Sequence, residues 1–593
     1  MKILYRIRAF SLVTFVLVWT SQTGLLAQTG LAVVDWNDVH QRIDGFGASS
    51  AFLNINWTTA QADMFFSTNN GIGLSLLRTR IEPDGSADGT GIMRLAQARG
   101  ARVWSTPWSP PAAFKDSGTV NGGNYLGGDA TNAAYAQQLA GYAARMKTFL
   151  IGVNIYAISI QNEPDYNTTS YESCLWTAQQ FHDFIPYLYN ALAATNLSGI
   201  KIMLPEQASW RLNLATTSMN DATTSNMVGI LAAHGYYSSA TSLNHYGKTL
   251  WETEDSNLSG PFDGSITDGI YWATQIYSYL TVAEVNAWNY WWLISANPDN
   301  EGLTDQSGNP AKRMYVLGQW SRFVRPNFYR IGVNNNTSAL VSAFMNPLSG
   351  SIAIVAVNPN ANLPIVQTFT LTNVPMTAPV VPWVTSSNLS LASQPAVEVT
   401  NSTFTWQLPP YSVVTFVGQT DITNSPPTLQ PIADQTIDPG VPLIITNVAT
   451  DPDAFQTLTF NLLNGPTNVV LNSTNGILTW RPLVTDANTT NLFTVQVADN
   501  GSPVMTAQQS FTVTVNPLIQ PQISEESWSN GWLVLQIGGA FGPDYAVQVS
   551  SNLFDWAEIF VTNSPPVPFQ WVDTGATNWP NRFYRVKIGP PLP

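Results

Sequence analysis

Between about residues 40 and 325 the chain alternates short apolar runs with stretches where apolar residues recur every three or four positions. The runs predict strands over Arg42–Gly47, Gly73–Ile81, Arg102–Trp108, Tyr156–Pro164, Lys201–Glu206, Val228–Tyr236, Lys248–Asp255 and Glu284–Ile294. Several are near-continuously apolar, the pattern of parallel strands buried on both faces. One intervening helix shows a clear stripe of Tyr135, Leu139, Tyr142, Met146 and Leu150; a second runs from Thr177 to about Ala194. Eight such alternations in about 285 residues suit a (β/α)8 TIM barrel. An open doubly wound sheet would want a phosphate-binding glycine turn, and Gly45-Phe46-Gly47 lacks the third glycine.

Beyond residue 330 the period changes to two. Ser351–Val357, Ile365–Leu371, Phe404–Leu408 and Ser412–Val417 alternate between Asn, Pro and Ser turns, a β-sandwich pattern to which Leu31–Asp35 adds a strand. The expected organisation is multidomain: a leader at 1–27, an N-terminal strand of the side domain at 28–40, the barrel at 41–325, the side β-sandwich at 326–418 and a polar linker at 419–427. Two all-β accessory domains follow, one of immunoglobulin-like size at 428–517 and one at 518–593.

Composition narrows the setting. A chain of 593 residues is too long for one hydrophobic core. Only 10% of residues are charged, well below the usual quarter, and the polarity comes from Asn, Thr, Ser and Gln. The net charge of -14 argues against nucleic acid and anionic membranes as partners. Lys2, Arg6 and Arg8 precede an apolar stretch from Ala9 to Trp19, with Ala27 as a cleavage site, which reads as a secretory leader rather than a membrane anchor. The lone Cys174 forms no intramolecular disulfide and reads as a small buried residue or, less simply, a reactive thiol. No nucleotide motif or metal cluster is evident, so no cofactor is expected. His234 and His245 fall near strand ends, where a single His usually hydrogen-bonds a neighbour.

Two carboxylate motifs carry the chemistry. Ile160-Gln161-Asn162-Glu163-Pro164 follows the fourth strand, and Leu250-Trp251-Glu252-Thr253-Glu254 ends the seventh. Carboxyl ends of barrel strands form the active face. A pair of carboxylates across that mouth is what glycoside hydrolysis requires, one moving a proton and the other attacking the anomeric carbon. Glu254 lies nearer the strand end than Glu252 and is the candidate nucleophile. Glu252 is left as a buried paired carboxylate or a substrate ligand.

The chain resembles glycoside hydrolase family 30, closest to its bacterial endo-xylanase subfamily. The resemblance rests on Ile43-Asp44-Gly45-Phe46-Gly47, Leu76-Leu77-Arg78, Ser105–Pro111, Tyr156–Tyr166, Trp251–Glu254, Lys312–Tyr315, Phe323–Pro326 and Leu408–Phe416, in order over about residues 31–418. It implies a retaining mechanism, with Glu163 as acid/base and Glu254 as nucleophile. It also implies that Trp108 and Trp291 line the sugar site, that Asn162 binds a hydroxyl and that Tyr236 lies beside the nucleophile. Barrel packing is the alternative for the two tryptophans. Arg78 would bond the nucleophile or serve as a buried ion-pair partner. Glucuronoxylan-specific members place an arginine just after the eighth strand; here Leu293–Glu301 contains no Arg or Lys and two acids. The expected substrate is therefore a β-1,4-xylan-type polysaccharide without strict dependence on glucuronate; the alternatives are another family 30 glycosidase of β-1,6-glucan, galactan or glycosylceramide type, and a non-catalytic carbohydrate-binding or adhesion protein, against which the retention of both glutamates argues.

In the accessory part, Asp451, Asp453 and Asp499 have the oxygen chemistry to ligate calcium, although turn formation uses the same residues without a metal. Trp528, Trp532, Trp556, Trp571 and Trp579 in the last domain suit either carbohydrate contact or core packing.

Overall fold

The computed structural model describes residues 27–148 and 152–592. The expected leader before Ala27, and Leu150 of the helical stripe, lie outside the described residues. The chain divides into two compact units, the first ending at Asp421.

The first unit contains a closed parallel barrel. Its strands are β1 (Gly45–Ser49), β2 (Leu76–Ile81), β3 (Arg102–Pro107), β4 (Ile155–Ser159), β5 (Lys201–Gln207), β6 (Val228–Ala233), β7 (Thr249–Glu252) and β8 (Ala287–Ile294). Each pairs with the next, and β8 returns to β1 through Gly45–Ala287 and Phe46–Trp288. Side chains from β2 through β8, among them Leu76, Trp104, Met203, Ile230 and Trp251, fill the interior. Trp104 and Trp251 meet edge to face at 5.9 Å, and Trp251 Nε1 donates to Asp44 Oδ2 at 2.9 Å. The barrel is thus a packed core, and chemistry is confined to its mouth.

Amphipathic helices cover the strands. Asp129–Lys147 buries Tyr135, Leu139, Tyr142 and Met146, the predicted stripe. The helix Ala178–Ala194 starts where Thr177 and Gln180 cap each other: Gln180 N–H donates to Thr177 Oγ1 at 3.2 Å, and Thr177 N–H donates to Gln180 Oε1 at 2.8 Å.

The side domain is one nine-stranded sheet. Gln28–Arg42 lies between Tyr329–Asn335, to which it is antiparallel, and Ile365–Thr372, to which it is parallel. The sheet curls on itself, because Phe404 on the strand at one end packs 5.1 Å from Phe416, on a strand near the other end. One sheet so curved encloses an apolar core of Val34, Ile331, Ile354, Phe369 and Phe416, giving the alternating pattern of a sandwich. The barrel helix Lys312–Ser321 seats against it through Gln319, whose amide donates to Thr385 Oγ1 at 2.8 Å.

The second unit holds two all-β modules. The first builds its core on Leu478, Trp480, Phe493, Val495 and Phe511. The second packs two three-stranded sheets around Leu535, Ile537, Tyr545 and Val547. In that module Trp571 joins the core and Trp556 lies under Arg585 at 4.2 Å, whereas Trp528, Trp532 and Trp579 are exposed. Of the acids considered for calcium, two cap turns: Asp451 Oδ1 accepts the N–H of Asp453, and Asp499 Oδ1 accepts those of Gly501 and Met505; the third, Asp453, accepts the N–H of Ser425 at 2.6 Å. Among the described residues no helix is long and apolar enough to cross a membrane.

Candidate active site

The turn after β4 sets Glu163. The strand stops at Ser159, and the chain then swings across the mouth, tied by Asn162 N–H to Pro107 carbonyl at 2.9 Å and Glu163 N–H to Glu206 carbonyl at 3.0 Å. Glu163 and Glu206 both take left-handed backbone, with φ of 44° and 54°. Non-glycine residues hold that conformation at a cost of roughly 1–3 kcal/mol and only where surroundings impose it. The β-like run predicted through Pro164 therefore ends early, because its last residues are bent to aim a side chain rather than to pair. The imidazole Nδ1 of His234, which follows β6, lies 3.2 Å from Glu163 Oε1.

Glu254 sits two residues past β7 with both oxygens engaged. Oε2 accepts from the Arg78 guanidinium and Oε1 from the Tyr236 hydroxyl at 2.9 Å. Its N–H donates to Glu252 Oε1 at 2.9 Å, while Glu252 Oε2 accepts the N–H of Asn289 at 3.1 Å. Glu252 is thus fully buried beneath the nucleophile candidate and does not line the cleft. Arg78, also fully buried, donates from Nη2 to Asn162 Oδ1 at 2.6 Å and to Glu206 Oε1 at 3.0 Å. It is both a partner of Glu254 and a buried ion-pair residue.

The charges form one cluster. Burial opposes a charge on Arg78, but Glu206 and Glu254 outweigh it and raise its hold on the proton. Burial pushes Glu206 up, yet Arg78 and His234 bring its carboxyl below the ordinary value. Burial would lower His234, but Glu254, Glu163 and Glu206 push it up to about 10, so the imidazole is a cation at neutral pH. Burial raises Glu254, and the pull of His234 and Arg78 limits the rise. Three carboxyl groups (Glu163, Glu206, Glu254) thus share two cations (Arg78, His234).

One oxygen of Glu163 and one of Glu254 lie within 4.8 Å of each other, and a His234 nitrogen lies within the same distance of both. That proximity accords with a retaining carboxylate pair, whose carboxyl groups lie roughly 5–5.5 Å apart. The same trio has ligand types for a metal ion, but Arg78 and Tyr236 already occupy both Glu254 oxygens.

The pair opens into a cleft of about 580 Å³. Trp108 and Trp291 stand 5.8 Å apart in its wall, Trp292 stacks on Trp291 at 4.9 Å, and Phe52 meets Trp108 edge-on at 5.2 Å. Tyr166, Tyr171, Arg211 and Glu301 complete the rim. Aromatic faces with a few polar groups suit sugar rings.

All seven residues singled out in the sequence gather at this mouth: Glu163, Glu254, Trp108, Tyr236 and Trp291 line the cleft, while Asn162 and Arg78 stand directly behind the two carboxylates. Trp288 is wholly core and packs 6.1 Å from Trp272, whereas Trp292 reaches the cleft. Sequence reasoning did not give Glu206 a role, although a Glu closing β5 satisfies the same strand-end rule as the other two. His234 was read only as hydrogen-bonding a neighbour; nothing in one strand signals that its neighbours come from three others. Cys174 is buried, and burial pushes its thiol up to about 12, which removes it as a nucleophile.

A closed parallel barrel with two carboxylates this close at its mouth defines the class of O-glycosyl hydrolases. The family model for the glycosyl hydrolase family 30 TIM-barrel domain matches residues 91–308, and an Ig domain model matches residues 426–516. The chain is 29% identical over 397 residues to glucuronoxylanase XynC of Bacillus subtilis, covering 64% of this chain and 89% of that one. The family 30 subfamily 8 xylanase Xyn30A of Clostridium acetobutylicum superposes with a TM-score of 0.58 at 31% identity, covering 65% of this chain and 99% of that one. A family 30 endoxylanase of Clostridium papyrosolvens gives 0.55 at 30% identity, with 65% and 99% coverage. The chain belongs to glycoside hydrolase family 30, whose mechanism is retaining.

Proposed function

We propose that the protein is a secreted endo-xylanase that cleaves β-1,4-xylan without strict dependence on glucuronate. The observation that carries the mechanism is the approach of Glu163 and Glu254 to within 4.8 Å. Glu163 is the acid/base. Donors from Arg78 and Tyr236 cover both Glu254 oxygens and fix that carboxyl group in place to attack.

In the first step Glu163 gives its proton to the glycosidic oxygen and Glu254 attacks the anomeric carbon; the carbon–oxygen bond breaks and a glycosyl ester forms. In the second step Glu163 takes a proton from water, the water oxygen bonds to the anomeric carbon, and Glu254 leaves as carboxylate. Asn162 uses its oxygen on Arg78, which leaves its amide N–H groups for the sugar hydroxyl beside the reacting carbon. Trp108 and Trp291 support the ring.

Substrate choice rests on the loop after β8. It brings Glu301, not a cation, to the cleft wall. Burial, with Asp299 and Glu254 nearby, pushes Glu301 up to about 7. Such a wall has nothing to hold a glucuronate carboxylate. Secretion is inferred from the basic–apolar start of the chain.

The test is sugar release from polymeric xylan, unbranched and glucuronate-branched, beside β-1,6-glucan and galactan. The wild type should act on unbranched xylan, giving products of the β configuration first, and Glu254→Gln should lose at least about 10³-fold in kcat. Activity confined to branched xylan, or to another polymer, would overturn the substrate. Equal rates for wild type and Glu254→Gln would overturn the mechanism.

A further inference from the structure

The cleft carries one charged fork that the proton-transfer chemistry does not use. Arg211, past the end of β5, lines the cleft with 54% of its side chain exposed. Its Nε and one Nη donate to Asp165 Oδ2 at 3.0 and 2.5 Å. Asp165 is itself fixed by the Gln207 amide and the Ala208 N–H, both at 2.9 Å, and Gln207 is 1% exposed. The guanidinium is therefore held in orientation by a buried scaffold. Its other Nη has no partner among the described residues. Planar forks of this kind match carboxylates.

Two segments of the cleft differ in the groups they offer. The loop after β8 contributes Glu301, with Asp299 close to it, and no cation. The segment after β5 contributes the Arg211 guanidinium, anchored to Asp165, two residues past Glu163. They differ also in their place along the substrate. Glu163 delivers the proton to the leaving oxygen, so the loops around it face the leaving half of the substrate. Glu301 lies next to Trp291 and within the field of Glu254, on the half that becomes covalently held.

We infer that Arg211 is a specificity-determining residue that binds the carboxylate of an acidic branch on the leaving-group side. The enzyme then accepts acid-branched xylan when the branch lies beyond the cleaved bond toward the reducing end of the polymer. It disfavours the branch beside the acidic loop. This rests on the xylanase reading above.

Hydrolysis of glucuronoxylan with product sequencing tests it. Wild-type products should carry the acidic branch close to their new non-reducing end. Arg211→Gln should lower the ratio of kcat/KM for glucuronoxylan over unbranched xylan about five- to tenfold. Arg211→Lys, which keeps charge but not the fork, should recover part of that ratio. Reducing the branch carboxyls to alcohols should lower the wild-type ratio in the same way and leave the Arg211→Gln ratio unmoved. Branches beside the reducing end of the products, or a ratio unchanged in Arg211→Gln, overturn the role of Arg211 while leaving a xylanase. Failure of the wild type on both xylans removes the xylanase reading and this one with it.

Discussion

Arg78 divides its guanidinium among Glu254, Glu206 and Asn162 and lies over the Trp108 ring at 4.6 Å. Removing it would leave the buried Glu206 and Glu254 with His234, 3.7 Å from each, as the remaining cation of the cluster. Arg78→Met should therefore destabilise the fold by about 3–5 kcal/mol, read as a shift in denaturant midpoint; a loss under about 1 kcal/mol would show that the cluster does not depend on it. His234 sets a pH dependence of definite sign. Its folded pKa is raised to about 10 from 6.5, so its contribution to stability is complete below pH 6.5 and is lost as pH rises toward 10. Thermal midpoints should fall across that window, and His234→Gln should flatten the slope; an equal slope in both proteins would assign it to other groups. The two acids are legible because each sits in a short run at a strand end, and Arg78 only through the family resemblance carried by Leu76-Leu77-Arg78. His234 is not, because its pKa depends on Glu163, Glu206 and Glu254, which lie 71, 28 and 20 residues away in sequence.

At the scale of elements, the turns after the strands matter more than the strands. Gly235 follows β6, and its N–H donates to the Glu254 carbonyl at 2.9 Å. A Cβ at this position would lie 2.4 Å from Asp255 Oδ2. Asp255 is buried and has little room to yield. Gly235→Ala should thus cost about 1–3 kcal/mol and lower kcat by displacing the segment that bears Glu254; wild-type stability and rate together would show that the segment gives way. Thr177→Ala should cost about 0.5–2 kcal/mol through loss of the helix cap, with kcat/KM unchanged, since Thr177 pairs with Gln180 and does not line the cleft. Helix and strand periods were readable because burial imposes them residue by residue. The bends at Glu163 and Glu206 were not, because left-handed backbone at a glutamate follows from ties to neighbouring strands.

For the whole molecule, Arg481 is a tie between the two C-terminal modules. It donates from two nitrogens to Asp544 at 3.0 and 2.7 Å and from Nε to the Gly440 carbonyl at 2.6 Å. Arg481→Ala should lower the stability of that unit by about 1–2 kcal/mol, allowing for partial exposure, and leave glycoside hydrolysis unaltered; calorimetry with a parallel activity assay checks both. The sequence by itself determined the barrel, its order of strands and the two strand ends that bear carboxylates, because period and burial are local consequences of composition. It also excluded a cationic loop after β8. Only the tertiary structure decided how the charges are shared. Ionisation and orientation depend on distances between side chains far apart in the chain, and closure of the barrel is what brings Glu163, Glu206, His234, Glu254 and Arg78 within reach of one another.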